Sequence, residues 1–79
     1  MTDLKGTLAN IARAIVDSPE DVVVTVIEES ETAVSLKLSV AAPDMGKVIG
    51  KHGKIAKAIR QLMKAAATGT GKKVTIDIE

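Results

Sequence analysis

Gly50 and Gly53, three residues apart, interrupt a stretch that otherwise reads as helix from Met45 to Ala67. A straight helix does not run comfortably through them, because glycine is a poor helix former and readily takes positive φ. The chain therefore bends there, with a helical segment on either side. Lys51 and His52 stand between the glycines, and Lys54 and Ile55 follow. Without Cβ atoms at its two ends, such a bend lets another backbone come close. The first N–H groups of the second helix point outward and favour an anion. Lys51 adds a mobile positive charge and His52 a donor. A sugar-phosphate strand is the kind of ligand that asks for this combination.

The rest of the chain divides into short elements. Leu4, Leu8, Ile11, Ala12, Ile15 and Val16 recur on one face of a helix from about Asp3 to Asp17, which Ser18-Pro19 ends. Val22 to Glu28 is almost wholly β-branched and reads as a strand. After the polar turn Glu29–Thr32, residues Ala33 to Ala41 alternate, with Val34, Leu36, Leu38 and Val40 on one face and Ser35, Lys37 and Ser39 on the other. These two strands make an antiparallel hairpin, and Pro43 closes the second. Asp44 is expected to cap a short helix, Met45 to Ile49. The helix after the glycines spans Lys54 to Ala67, with Ile55, Ile59, Leu62, Met63 and Ala66 as its buried face. Gly69-Thr70-Gly71 breaks it. Lys73 to Ile78 is a last strand with Val74, Ile76 and Ile78 inward. The order is α-β-β-α-α-β. The long helical link before the last strand permits it to run parallel to the second. Strands with one polar face imply a sheet covered by helices on one side only.

Charge is divided along the chain. Residues 1–44 carry three basic and eight acidic side chains, net −5, and residues 45–79 carry eight and two, net +6. The positive half is the half with the glycine bend, which places a basic face beside a phosphate-shaped loop. Cysteine is absent and there is one histidine, so neither a disulfide framework nor a thiolate or multi-histidine metal site is available. No nucleophile-base spacing or carboxylate pair points to catalysis, and no cofactor is implied. Phe, Tyr and Trp are absent, which argues against binders that stack bases on aromatic rings. The first residues lack the basic stretch and apolar run of a signal peptide. No apolar run nears the roughly 18 residues of a membrane span, so a cytoplasmic protein is expected.

The run Asp44-Met45-Gly46-Lys47-Val48-Ile49-Gly50-Lys51-His52-Gly53-Lys54-Ile55 resembles the core motif of K-homology (KH) domains, whose G-x-x-G loop clamps about four nucleotides. From Leu4 to Ile78 the chain is similar to the small bacterial single-KH proteins of the KhpA (YlqC) family. That resemblance implies an α+β, type II KH fold formed by residues 1–79 as a single domain, with a three-stranded mixed sheet covered by helices on one face. It implies binding of single-stranded RNA through Gly50, Lys51, His52, Gly53 and Lys54. Lys47 and Lys57 are assigned to phosphates and Val48, Ile49 and Ile55 to the aliphatic surface beside the loop. Ile49 and Ile59 are expected mainly in the core, and Val40 is expected to contribute to the base groove. The resemblance also implies homodimers and pairing with a larger KH partner of the KhpB/Jag type, in post-transcriptional control or as an RNA chaperone. The helix face bearing Ala58, Gln61 and Ala65 is the expected contact.

Other readings fit the same residues. A helix-turn-helix corner also uses glycine, although it needs only one and gives no reason for Lys51 and His52 at the tip. A Walker A loop does not fit, since Gly46 and Gly50 are too close and Lys51 precedes His52. An ordinary solvated helix face accounts for Arg60 and Lys64, which lie further along. A scaffold module with incidental RNA affinity, or a binder of single-stranded DNA, shares every feature so far described.

Overall fold

The computed structural model describes residues 3–79. Helix α1 (Leu4–Ile15) begins at Asp3, whose Oδ1 accepts the Gly6 N–H at 3.0 Å, satisfying one of the open donors of the first turn. It stops two residues earlier than the pattern predicts. Asp17 and Ser18 are thereby freed to form the corner that meets the glycine segment.

Strands β1 (Val23–Glu29) and β2 (Ala33–Ser39) pair antiparallel, and β3 (Lys73–Ile78) pairs parallel with β2, giving the order β1-β2-β3. Ser30 makes the hairpin turn: its N–H donates to the Ala33 carbonyl at 2.8 Å and its Oγ accepts from the Ala33 N–H at 3.1 Å. The alternation expected of β2 and β3 is present. Val34, Leu36, Leu38, Val74 and Ile76 are buried, while Thr75 and Asp77 are exposed on the open face. In β1 the alternation fails beyond Val24. A register shift between Val26 and Glu28 bulges the strand, and Val26 and Ile27 are exposed. A bulge adds a residue to one strand only, so period-two patterning is lost there.

Helices α2 (Met45–Ile49) and α3 (Lys54–Ala67) flank the bend. With α1 and the inner sheet face they enclose one apolar cluster, in which Leu8, Leu36, Leu38, Val48, Ile59 and Met63 are the largest wholly buried side chains. Each such side chain contributes roughly 1.5–3 kcal/mol relative to exposure. The buried face of α3 is Ala56, Ile59, Met63 and Ala67. Ile59 and Met63 are therefore where the sequence pattern places them, but Ile55 and Leu62 are exposed at 36% and 54%. The helix is rotated so that alanines meet the layer beneath, where a longer side chain would hold it away.

Asp44 does not cap α2. It is 2% exposed, and its Oδ2 accepts the backbone N–H of Ser18 at 3.0 Å. The expected cap is thus a tether between α2 and the end of α1. An acidic residue before a helix serves either purpose, and only the tertiary fold decides which.

Candidate nucleic-acid interface

Gly50 ends α2. Its N–H donates to the Gly46 carbonyl at 2.8 Å, and its backbone stands at φ 74°, ψ 173°, a region essentially reserved for glycine. A Cβ added there would lie 2.6 Å from Cγ1 of Ile55, so the loop is pressed directly against the start of α3. Lys51–Gly53 forms one tight turn, closed by the Gly53 N–H on the Gly50 carbonyl at 3.2 Å. His52 occupies the left-handed region at φ 58°, ψ 25°, a conformation histidine visits more often than most side chains. Gly53 follows at φ 73°, ψ 13° and serves as the cap position of α3 without any side chain to cap it. The Lys54 N–H donates to the Lys51 carbonyl, and no side chain caps the first turn of α3, the end of a helix that favours an anion. A Cβ on Gly53 would meet no atom within 4 Å.

Lys51 and His52 are exposed at the tip, and Lys54 and Lys57 are exposed on the first turns of α3. These are brought together as the sequence predicts. Two aliphatic expectations change places. Val48 is completely buried and its side chain is core, while Ile49, expected in the core, is 38% exposed. In a five-residue helix lying on the core, successive residues point about 100° apart, and a run of two aliphatics does not say which is inside. Ile49 and Ile55 make the apolar surface beside the loop, and Val40 is half-buried against the core.

Lys47 has an ion-pair partner within the protein. Its Nζ lies 2.6 Å from Oδ2 of Asp17, thirty residues earlier in the chain. That hydrogen bond, and then the charge of Asp17, hold the Lys47 ammonium above its usual pKa of 10.5. With the Asp44 tether, the pair fixes α2 to the corner after α1, from which the loop projects. Neither contact was visible in the sequence.

The surface so assembled offers a helix start that no side chain caps, three ammonium groups with no ion-pair partner among the described residues, and an aliphatic patch. Chemically it suits a flexible polyanion that also has apolar parts. Among the described residues no group of three His, Cys, Asp or Glu side chains could hold a metal ion, and no helix is long and apolar enough to cross a membrane.

The sequence pattern of the KhpA/KhpB KH domain matches residues 5–78. The chain is 49% identical over 75 residues to the RNA-binding protein KhpA of Listeria monocytogenes serovar 1/2a, covering 95% of this chain and 97% of that one. It is 48% identical over 75 residues to the RNA-binding protein KhpA of Clostridium acetobutylicum, covering 95% and 99%. It is 50% identical over 68 residues to the protein of the same name from Caldanaerobacter subterraneus subsp. tengcongensis, covering 86% and 89%. No solved structure matches it. Together with the α-β-β-α-α-β order and the mixed sheet, these matches show that the chain belongs to the KhpA/KhpB family of KH domains.

Proposed function

We propose that this protein binds single-stranded RNA, clamping the sugar-phosphate backbone against the Gly50–Gly53 loop. The observation that carries the reading is the loop itself. Three residues at positive φ, Gly50, His52 and Gly53, turn the chain so that α3, whose first turn no side chain caps, begins beside Lys51, Lys54 and Lys57. Relatives named as RNA-binding proteins support it. Backbone donors and lysines take the phosphates, and Ile49 and Ile55 receive the apolar faces of the bases in place of aromatic stacking. A site of about four nucleotides is small, so a second copy or a larger KH partner of the KhpB/Jag type raises avidity through effective concentration. The protein then acts in the cytoplasm as a post-transcriptional regulator or RNA chaperone, and no catalytic step is assigned to it.

The test is binding of an end-labelled short RNA to the wild type and to Lys51→Asp/His52→Asp across a salt series. Aspartate tolerates the left-handed conformation at position 52, so the variant retains the loop. Two or three phosphate contacts give a slope of log K against log salt of about −1.4 to −2.1. Loss of binding in the folded variant supports the clamp, and equal binding by both proteins refutes it. A matched DNA oligomer decides whether the 2′-OH matters.

One observation favours a second reading, a dimerising scaffold. Leu62 is 54% exposed on α3, on the same side as Ala58, Gln61 and Ala65. If the protein associates through this face, Leu62→Asp shifts its sedimentation to that of a monomer and leaves RNA binding per chain intact.

A further inference from the structure

Strand β1 is one edge of the sheet, and among the described residues the backbone of Val23–Glu29 hydrogen-bonds only to β2. An edge of this kind presents a row of N–H and C=O groups able to pair with a further strand. The register is regular from Val23↔Ser39 to Val26↔Leu36, so Val23–Val26 is the pairable stretch ahead of the bulge. The edge is also apolar, since Val23 and Ile27 are each more than half exposed. Acids flank this strip at both ends. Glu20 and Asp21 precede β1, and Glu28 and Glu31 stand at the hairpin end. All four are exposed and have no ion-pair partner among the described residues. Two lysines of neighbouring segments do not neutralise them. Lys72 is paired with Glu29, and Lys37, opposite Thr25 in the ladder, reaches instead to Glu79 after β3.

Charges and a bulge are the usual protection of an edge strand. Here the unpaired charges have one sign, which makes the protection selective. A second copy does not fit. In an antiparallel β1–β1 pair, Glu20 and Asp21 of one chain fall beside Glu28 and Glu31 of the other, and in a parallel pair each acid falls beside its own equivalent. Like charges facing each other across strands destabilise both arrangements. The opposite edge of the sheet, β3, is already engaged at Ile76, whose carbonyl accepts from Nε of Arg60 at 3.2 Å.

We propose that the β1 edge takes up an extended segment of another protein as a fourth strand, one with basic residues on both sides of an apolar centre. Main-chain pairing with Val23–Val26 supplies the attachment, and Val23 and Ile27 meet the apolar side chains of the segment. Glu20, Asp21, Glu28 and Glu31 meet its basic ends, fix its register and repel acidic segments. At the rise of a strand, β1 is about 20 Å long, so about six residues separate the basic ends. The site shares no residue with the glycine loop, so a bound segment leaves the loop open.

The experiment titrates the intact chain, without RNA, with a labelled peptide that has lysines at both ends of an alternating valine–threonine centre. One control peptide carries glutamates in place of the lysines. The other keeps the lysines and has consecutive prolines in its centre, so its charge is retained and its strand pairing is lost. Fluorescence polarisation reads binding, and NMR hydrogen exchange reads the amides of Val23–Val26. The lysine peptide is expected to bind saturably and to slow exchange along β1, and each control to bind at least about tenfold more weakly. Glu28→Lys/Glu31→Lys, with unchanged circular dichroism, is expected to weaken the lysine peptide by about tenfold as well. Equal binding of the proline peptide reduces the site to unspecific ionic attraction and overturns the proposal. No saturable binding up to about 1 mM, or binding without protection of β1, overturns it too. Protection of the β1 amides that grows with the concentration of the protein alone makes a second copy the occupant, and also overturns it.

Discussion

Replacing Gly50 by alanine tests the close approach of the loop to α3. Two costs add at this position. The backbone at φ 74°, ψ 173° is strained for any residue with a Cβ, by about 1–3 kcal/mol. The new methyl also falls 2.6 Å from Cγ1 and 2.9 Å from Cβ of Ile55, well inside carbon contact distance. The Cβ of Ile55 cannot move without moving the helix backbone, so relief is partial and overpacking costs about 1–3 kcal/mol more. The expected loss is about 2–6 kcal/mol, out of roughly 4–12 kcal/mol for a domain of this length. Gly53→Ala is the control. It too stands at positive φ, but its Cβ meets nothing within 4 Å. About 1–2 kcal/mol of left-handed strain is partly offset by reduced freedom in the unfolded chain, for a net loss of about 1 kcal/mol. At about 4–8 °C per kcal/mol for a domain of this size, Gly50→Ala lowers Tm by at least about 8 °C and Gly53→Ala by about half that or less. Urea and thermal unfolding are followed by far-UV circular dichroism, since the chain has no aromatic chromophore. Equal stabilities for the two variants, or a Gly50→Ala protein within about 1 kcal/mol of wild type, refute the argument. The methyl of Gly53→Ala projects into open space, where the proposed clamp places the RNA backbone, so this variant is expected to lose RNA affinity disproportionately to its stability.

Two further substitutions probe the contacts that hold α2. Asp44→Ala leaves the Ser18 N–H without its acceptor in a part-buried site and is expected to cost about 1–3 kcal/mol in urea unfolding, whereas Asp44→Asn keeps a carbonyl oxygen and loses less; equal losses would discount the tether. Asp17→Asn removes the partner that raises the Lys47 pKa, so the Lys47 titration followed by carbon NMR moves down toward 10.5. Because the folded-state pKa is raised, the contribution of the pair to stability is complete below pH 10.5 and fades as pH rises through the folded value above it. RNA affinity in Asp17→Asn is expected to rise, because an ammonium beside the loop is released and a carboxylate is lost. An unmoved Lys47 titration would mean that the pair does not persist in solution.

Features encoded by local pattern were legible in the sequence. The bounds of α2, α3 and β3 agree with the pattern to the residue, because glycines break the helices and strict alternation marks the strand. The loop Gly50–Gly53 and its lysines were legible for the same reason. What escaped were contacts between distant segments. Asp17 and Lys47 are thirty residues apart, Ser18 and Asp44 twenty-six, and neither pair leaves a periodic signal. The direction of Val48 and Ile49 depends on how a five-residue helix lies on the core. The bulge at Val26–Glu28 hides in a run of β-branched residues that suits either register. Arg60 looked like one more solvated cation until β3 supplied the carbonyl it holds.

The parallel pairing of β2 with β3 has a consequence in time. Leu38 is aligned with Ile78, forty residues further on, and α2, the glycine loop and α3 lie inside that closure. The β1–β2 hairpin closes locally and early, whereas a parallel crossover waits on a long-range, entropically costly encounter. Until Lys73–Ile78 docks, Arg60 has no carbonyl to hold and α3 no sheet edge to lie along. The interface proposed for RNA is therefore complete only once β3 has docked.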